Sequence, residues 1–295
     1  MPPKLPEAIP IGDMPGDQVR IEDPHISKSI AIFPAMKTFL KHILEKSPHG
    51  KAVISLFGGS GVGKSEIASV LSYYLRHLDI TSYILSGDNY PHRIPAQNDA
   101  ERQRIFSYSG VHGLLASGQY SPSVADRLRD LQTAGLDADP AQTAPHPWLA
   151  TYQQAGRRAL KAYLGSKNES NFSELTEIIA QFKNGARTIW MKRLGRQPQD
   201  FWYELIDVEQ TKVLLIEWTH GNNESIGGVD LPIYLHSTPE ETLAHRKKRK
   251  RDSKPDSPFM NMVLQLEQSI LDKQSKRAKI TAYRSGEVTI CGPNP

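Results

Sequence analysis

The stretch "SLFGGSGVGKSEIASVL", residues Ser55 to Leu71, links an apolar run to an amphipathic run through a glycine-rich segment. The segment "KAVISLF", Lys51 to Phe57, is short, apolar and β-branched and is ended by glycines, which predicts a buried strand. The residues "SEIASVLSYYLRHL", Ser65 to Leu78, have apolar side chains at three- and four-residue spacing, which predicts a helix. The stretch therefore predicts a strand, a tight loop and a helix in direct succession.

The segment between strand and helix, "GGSGVGKS" from Gly58 to Ser65, fits the phosphate-binding P-loop (Walker A) pattern G-x-x-x-x-G-K-[ST]. In such a loop, backbone N–H groups surround a phosphate, and the helix N-terminus adds positive potential. We expect Lys64 to contact the β- and γ-phosphates of ATP and the Ser65 hydroxyl to bind Mg²⁺. A glycine turn that merely precedes a lysine is the alternative, which the flanking strand and helix disfavour. The predicted nucleotide site comprises Gly58, Gly59, Ser60, Gly61, Val62, Gly63, Lys64, Ser65 and Glu66.

Composition indicates a globular, soluble protein. The 295 residues are 38% hydrophobic and 23% charged, which suits one large α/β domain or two small ones. Runs of about 18 apolar residues are absent, and the N-terminus lacks the layout of a signal peptide. Cys291 is the only cysteine, so no internal disulfide can form, and a reducing cytoplasm is the expected location.

The order of elements predicts an α/β P-loop fold of three layers, with a parallel sheet and a helical insert (cap). Proline-rich residues 1–25 indicate an extended arm, and Phe33 to Lys46 has the spacing of an amphipathic helix. Helical periodicity dominates from about 96 to 207, and strands return after it. We therefore divide the chain into an arm and helix, 1–50, and a nucleotide-binding domain, 51–295.

The second predicted strand, "ITSYILS" from Ile80 to Ser86, ends just before "GDNYPHR". Because the carboxyl ends of parallel strands meet beside the phosphate loop, Asp88 is expected to face the γ-phosphate. There it would accept a proton from an acceptor hydroxyl or help to hold Mg²⁺. Asn89 and Arg93 are expected near the substrate. The alternative is an Asp-Asn turn that caps the following segment.

The third predicted strand, within Thr211 to Trp218, ends at an acid and is followed by "THGNNE". Glu217 is a candidate to bind Mg²⁺ through water or to bind substrate hydroxyls. Trp218 would offer a stacking face, and His220 and Asn222 would bind hydroxyls. The alternative places Trp218 in the core and His220 in an ordinary loop.

The basic run "HRKKRKRDSK", His245 to Lys254, contributes to the formal net charge of +4. Such a run is most often a solvated face, and binding of nucleic acid is weakly indicated without a binding motif or interleaved aromatic residues. A third interpretation is a lid that closes over the triphosphate. In that case Arg249 and Arg251 would stabilise charge on the transferred phosphoryl group.

Two classes of nucleotide-binding protein are disfavoured by missing motifs. GTPases read guanine with N/T-K-x-D, which this sequence lacks. ATPases of the AAA and helicase types usually carry Asp-Glu at the end of an apolar strand, whereas Glu217 stands alone after "VLLI".

The motifs resemble those of P-loop small-molecule kinases. "GGSGVGKS" followed by "LSGDN" resembles adenylylsulfate kinases, whose comparable strand ends in D-G-D-N, although Ser86 replaces the first acid. "VLLIEWTHGN" and "HRKKRKRD" are more similar to uridine kinase and phosphoribulokinase. In that group an acid after the second strand is the base and an Arg-Asp step marks the lid, which Asp88 and Arg251-Asp252 match.

A longer stretch, from "EWTHGNN" to "SKPDSPF" (Glu217 to Phe259), is similar to sucrose kinase modules that are joined to α-galactosidases in some gut bacteria. The resemblance implies a kinase that uses ATP and Mg²⁺ and phosphorylates a small sugar, with sucrose the favoured acceptor. Adenylylsulfate and nucleosides stay open as acceptors. A nucleotide-dependent regulator or a nucleic-acid-binding P-loop protein is the alternative from another class. We expect a small-molecule partner, with no nucleic acid and no membrane, while the sequence does not reveal the oligomeric state.

Overall fold

A parallel sheet forms the centre of the molecule. The computed structural model describes residues 9–249 and 257–291, and its main sheet has six strands in the order β2-β5-β1-β6-β7-β8. The pairs from β2 to β7 are parallel, and β8 is antiparallel to β7. The strands of the chain are β1 Ala52–Gly58, β2 Ser82–Ser86, β3 Thr188–Leu194, β4 Phe201–Asp207, β5 Val213–Glu217, β6 Leu231–Leu235, β7 Ile280–Ala282 and β8 Val288–Ile290.

Helices cover both faces of this sheet. Alternate side chains of the central strand β1 point to opposite faces, so that Ile54 packs with the first two helices and Val53 with the sixth. This three-layer arrangement confirms the predicted α/β fold. The helices within the described residues are α1 Asp23–Lys46, α2 Lys64–Arg76, α3 Pro95–Ala116, α4 Pro122–Ala134, α5 Trp148–Tyr163, α6 Phe172–Lys183, α7 Pro239–Arg249 and α8 Pro258–Ser275.

Helices α3, α4 and α5 of the insert form a separate apolar cluster together with α8. Two glycines bring α3 and α5 close together. A Cβ atom on Gly110 would lie 2.4 Å from the Tyr152 ring, and one on Gly156 would lie 2.5 Å from Phe106. The insert is therefore packed firmly against itself and against α8, on one side of the sheet's carboxyl edge.

The end of the predicted helical insert is a β-hairpin, and there the sequence interpretation was wrong. Strands β3 and β4 pair in antiparallel register from Thr188↔Asp207 to Leu194↔Phe201. The alternation of β3 places Ile189 and Met191 in the same apolar cluster as α6. The alternation stops after Met191, because the rest of β3 is buried and most of β4 is exposed, so the hairpin has no sustained two-residue period. The domain boundaries at residue 50 and around the insert stay a prediction.

The N-terminal arm reaches the carboxyl edge of the sheet before α1 begins. Asp13 of the arm contacts the end of β2. In the first turn of α1, the His25 ring packs against Gly63 in the phosphate loop. In the two described ranges, no helix has the length and apolar character that crossing a membrane requires.

Candidate active site

The sequence elements that were predicted to hold nucleotide meet at the carboxyl edge of the sheet. In the strand register, Glu217 at the end of β5 is the partner of Leu56 in β1 and of Ser86 in β2. The Ser65 hydroxyl donates a hydrogen bond to Glu217 Oε2 at 3.2 Å, and the Ser86 hydroxyl donates to Oε1 at 2.6 Å. Two of the three residues predicted to hold the metal, Ser65 and Glu217, are thus in direct contact. A metal role for the third, Asp88, stays a prediction.

The phosphate loop needs its glycines for backbone geometry. Gly61 and Gly63 have φ of +80° and +91°, a region that favours glycine. A Cβ atom on Gly58 would lie 2.6 Å from the Leu235 carbonyl oxygen. Lys64 Nζ donates to the carbonyl oxygens of Gly58 at 3.2 Å and Gly59 at 3.1 Å, so the ammonium group lies over the loop. This geometry is that of a cradle for phosphate groups.

Glu217 is a buried carboxyl with a strongly perturbed pKa. Burial raises the pKa of Glu217 well above its usual range, the nearby charge of Asp88 raises it further, and Lys64 acts in the opposite direction. A cation between these acids would relieve both burial and mutual repulsion. Mg²⁺ usually takes one or two protein ligands and completes its shell with water and phosphate, so the pair Ser65 and Glu217 fits this ion.

A cavity of about 570 Å³, lined by both polar and apolar side chains, adjoins the phosphate loop. Ser60 of the loop and the exposed Asp88 line it on one side, and residues from α3, α8 and the segment before α6 line the other. Its volume lies within the range of small-molecule sites. Of the residues predicted to contact the substrate, Asp88, Arg93, Trp218 and His220 border this cavity.

A buried charge network, missed in the sequence, forms the far wall of the cavity. Arg102 of α3 pairs with Glu169 at 2.7 Å and with Glu267 of α8 at 3.2 Å. Asn98 donates to Glu169 at 3.1 Å, and His220 Nε2 lies 3.9 Å from the same carboxylate. Since Glu169 and Glu267 are 67 and 165 positions from Arg102, no local motif could reveal the cluster.

The network sets the charge of its central acid. Burial acts to raise the pKa of Glu169, but Arg102, His220 and the N–H of Gly165 outweigh it, and the net effect is a lowered pKa. Glu169 is therefore a carboxylate at neutral pH, and the cavity wall presents fixed charges and hydrogen-bonding groups.

Trp218 does not offer the stacking face predicted for it. Only 2% of its surface is exposed, and its ring lies 5.3 Å from Phe172 and 5.4 Å from His220, in both cases between ring centroids. On another side the ring is so close to Gly87 that a Cβ atom there would lie 2.0 Å away. Trp218 thus belongs to the core, and the sequence interpretation as a stacking residue is corrected.

Asn89 and Asn222 have protein partners and do not line the cavity. Asn89 is fully buried, donates to Asp13 at 3.0 Å and accepts from the N–H of Leu194 at 3.0 Å. The Asn222 side chain donates to the Gln274 carbonyl oxygen at 2.8 Å. Their predicted contact with substrate is replaced by a structural role.

Arg93 and His220, by contrast, border the cavity, and their contact with substrate stays a prediction. Arg93 Nη1 donates to the Tyr163 hydroxyl at 3.1 Å. His220 is buried, and its Nδ1 has no hydrogen-bond partner among the described residues.

The basic helix α7 places a different arginine at the phosphate loop from those predicted. Arg251 lies outside the described residues, and for Arg249 only the backbone is described. Arg246 is 5% exposed, and its Cγ would lie 2.9 Å from a Cβ atom on Gly61. Within the described ranges, its Nε and Nη1 atoms have no hydrogen-bond partner. A buried guanidinium with open donors beside this loop fits a phosphate group.

The chain is 34% identical over 238 residues to the bifunctional alpha-galactosidase/sucrose kinase AgaSK of Mediterraneibacter gnavus. The match covers 81% of this chain and 20% of that protein, so the chain spans about one fifth of its relative's length. No protein-family model matches the chain.

Three solved kinases show a looser likeness. A candidate fructose transport system kinase from Silicibacter sp. TM1040 has TM-score 0.45 and 12% identity, over 82% of this chain and 88% of that one. A candidate uridine kinase from Bacillus stearothermophilus has TM-score 0.43 and 15% identity, over 85% of this chain and 98% of that one. D-glycerate 3-kinase from Cryptococcus neoformans has TM-score 0.45 and 9% identity, over 90% of this chain and 98% of that one.

At these scores the likeness to solved structures adds nothing to the assignment, which depends on the chain's own geometry and on its sequence relative. The phosphate loop opens α2 at the carboxyl edge of a parallel sheet, with an acid after the second strand. These features, together with the 34% identity to a protein that is named a sucrose kinase, confirm the resemblance to P-loop small-molecule kinases.

Proposed function

We propose that this protein is a kinase that uses ATP and Mg²⁺ and transfers the γ-phosphoryl group to a hydroxyl of a small sugar. The observation that carries the proposal is the shared cavity, in which Ser60 of the phosphate loop and Asp88 face the charged wall around Glu169. Sucrose is the favoured acceptor, because a relative at 34% identity is named a sucrose kinase and the cavity wall is polar.

Asp88 is the proposed general base. It is exposed to the cavity at the end of β2, beside the loop that would hold the triphosphate. The acceptor hydroxyl gives its proton to the Asp88 carboxylate while its oxygen forms a bond to the γ-phosphorus. The bond from that phosphorus to the bridging oxygen breaks, and ADP leaves with the electron pair.

Lys64 and Arg246 are the proposed cationic groups for the phosphates. Lys64 lies over the loop, and Arg246 of α7 packs against Gly61 of the loop, with Nε and Nη1 atoms that have no partner within the described ranges. Fixed cations that contact the transferred group stabilise the charge that spreads over its oxygens. When bound, Mg²⁺ adds further positive charge at the phosphate oxygens, and Ser65 and Glu217 would hold it.

The charge network around Glu169 is the proposed acceptor wall. Carboxylates accept hydrogen bonds from sugar hydroxyls, and arginine side chains donate to sugar oxygens. An acceptor that lacks one of these hydroxyls would leave a buried group without a partner, and sites of this kind discriminate by about 10⁴. We therefore expect the right disaccharide to be a much better acceptor than its monosaccharides.

The test measures ADP release from ATP alone and from ATP with sucrose, glucose, uridine or adenylylsulfate. We expect rapid release with sucrose, slow release with glucose and a background rate with the rest. A Lys64→Ala preparation serves as the blank for contaminating kinases.

Efficient use of uridine or adenylylsulfate, with no sugar used, would contradict the sugar acceptor and leave a kinase of another substrate class. Release that no acceptor stimulates would contradict the kinase itself and favour a nucleotide-dependent regulator. The cytoplasmic location and the lack of a nucleic-acid partner stay predictions.

A further inference from the structure

The N-terminal arm inserts a buried carboxylate beside the turn that carries Asp88. Asp13 Oδ1 accepts hydrogen bonds from the Ser86 N–H at 2.7 Å and from Asn89 Nδ2 at 3.0 Å. Its Oδ2 accepts from Arg193 Nη1 at 2.9 Å and from the Tyr83 hydroxyl at 3.1 Å. No interpretation of the sequence assigned a role to this residue.

The contacts of Asp13 enclose Asp88 on both sides. Asp88 lies in a short 3₁₀ turn, Gly87–Asn89, so the residue before the turn and the last residue of the turn are both bonded to one carboxylate oxygen. Strand β2 is the edge of the main sheet, so within residues 9–249 and 257–291 no strand pairs with the outer side of its backbone. Asp13 supplies an acceptor there for the Ser86 N–H.

The hairpin holds the same turn from the other side. Arg193 of β3 is buried between Asp13 and Glu204, to which its Nε donates at 2.9 Å. The N–H of Leu194 donates to Asn89 Oδ1 at 3.0 Å. Because a buried carboxylate is stable only with charged or hydrogen-bonded partners, arm, turn and hairpin form one connected unit.

We propose that Asp13 is a positioning residue of the kinase reaction, which fixes the turn that presents Asp88 to the acceptor hydroxyl. The inference rests on the proposed function, since that function makes Asp88 the base. A base must lie within hydrogen-bond reach of the proton that it accepts, and a displacement of about 1 Å costs about 10²-fold in rate. Asp88 is an exposed side chain on a three-residue turn, so its distance to the acceptor hydroxyl is fixed only if other residues hold the backbone of the turn.

The decisive variant is Asp13→Asn, which keeps the side-chain shape but turns one oxygen into a donor that faces other donors. We expect turnover with saturating acceptor to fall by about 10- to 100-fold, while the Kd for ATP changes by less than about threefold. Glu204→Gln is the matched control, because it removes the charge of the other acidic partner of Arg193 and does not touch the bonds of Asp13 to the turn. We expect it to retain turnover within about twofold.

A double-mutant cycle separates positioning from general weakening of the fold. If Asp13 acts through Asp88, then Asp13→Asn adds little loss of turnover in an Asp88→Asn background. Full additivity of the two losses, or unchanged turnover in Asp13→Asn, would overturn the proposal.

Backbone hydrogen exchange at Ser86 tests the contact without any assay of activity. We expect the Ser86 amide to exchange slowly in the wild type and at least about 10-fold faster in Asp13→Asn. If the variant does not fold, the wild-type rate decides, and exchange as fast as in exposed turns would overturn the proposal. If the wild type turns over no acceptor, the proposed function fails, and the positioning role fails with it. Slow exchange of the Ser86 amide would then show only that Asp13 holds the turn.

Discussion

The two halves of the candidate site are built in different ways. The nucleotide half is one continuous piece of backbone, in which glycines at 61 and 63 adopt left-handed φ and the strand, loop and helix follow one another. The acceptor half is assembled from side chains of α3, α8 and the segment before α6, with Arg102 at its centre. Asp88 stands where the two halves meet.

This contrast teaches where each half obtains its precision. Backbone N–H groups in the loop are fixed by local geometry and need few tertiary contacts. The acceptor wall holds charges in a buried place, where an ion pair adds little net stability but leaves a costly defect if one partner is lost. We therefore expect changes in the loop to act on turnover and changes in the wall to act on stability and acceptor affinity together.

The largest effect is expected at the junction, for Asp88→Asn. Asparagine keeps the shape of aspartate but cannot take a proton, and a general base contributes about 10²–10⁴-fold in rate. Turnover should fall by that factor, while calorimetry should give nearly unchanged ATP affinity. Asp130→Asn on the exposed face of α4 is the control. Near-normal turnover at saturating acceptor would leave Asp88 as a turn residue.

Lys64→Ala should have the next largest effect. The lysine serves phosphate charge and not the core, so the melting temperature should stay close to that of the wild type. Loss of one fixed charge of this kind costs about 3–4 kcal/mol, or about 10²–10³-fold in turnover. Lys41→Ala, at an exposed pair with Glu45, is the control. An unchanged rate would exclude this loop as the ATP site.

The fold was largely readable from local patterns. The apolar run of β1, the glycines and the helical spacing of α2 are contiguous in the sequence. The start of α7 also carries a local signal, because Thr238 and Glu241 form a capping box with hydrogen bonds at 2.9 and 3.3 Å. The hairpin was missed because its buried and exposed positions depend on contacts with α6 that no local pattern contains.

The residues of the candidate site likewise fall into those that local patterns place and those that depend on tertiary packing. The placement of Lys64, Ser65 and Glu217 at the carboxyl edge of the sheet was predictable, because each lies at the end of a strand or loop of recognisable type. Their roles stay predictions. Trp218 was misjudged because burial behind Phe172 and Gly87 is decided by tertiary packing. The acceptor wall is beyond sequence reasoning, since its members are far apart in the chain.

Glu169→Gln tests the acceptor wall. Glutamine cannot balance the charge of Arg102, so stability at neutral pH should fall by about 3 kcal/mol, at the lower end of the range because Glu267 remains. The KM for the acceptor should rise about 10-fold, as expected when a charged hydrogen bond is lost. Denaturant unfolding and steady-state kinetics measure the two effects. Asp126→Asn, at an exposed pair with Arg129, should change neither.

The same variant should change the pH dependence of stability. The net effect of its surroundings lowers the pKa of Glu169 below its usual value of about 4.5. The unfolded chain therefore binds more protons in the window below that value. Glu169 thus contributes stability that is complete above pH of about 4.5 and is lost as the pH falls through the folded-state pKa. Glu169→Gln should show a shallower acid limb, and an identical slope would contradict a charged Glu169.

The smallest effect on activity is expected for Trp218→Phe, which decides between a core residue and a sugar-stacking residue. With 2% of its surface exposed, Trp218 has almost no face to offer, so the KM for the acceptor should change by less than about twofold. The smaller ring leaves a gap beside Gly87 and Phe172, so stability should fall by about 1–2 kcal/mol. Trp202→Phe, at a half-exposed position in β4, is the matched control for ring size. A large rise in the KM for the acceptor at constant stability would restore the stacking role of Trp218. It would place the acceptor against the sheet rather than against the acceptor wall around Glu169.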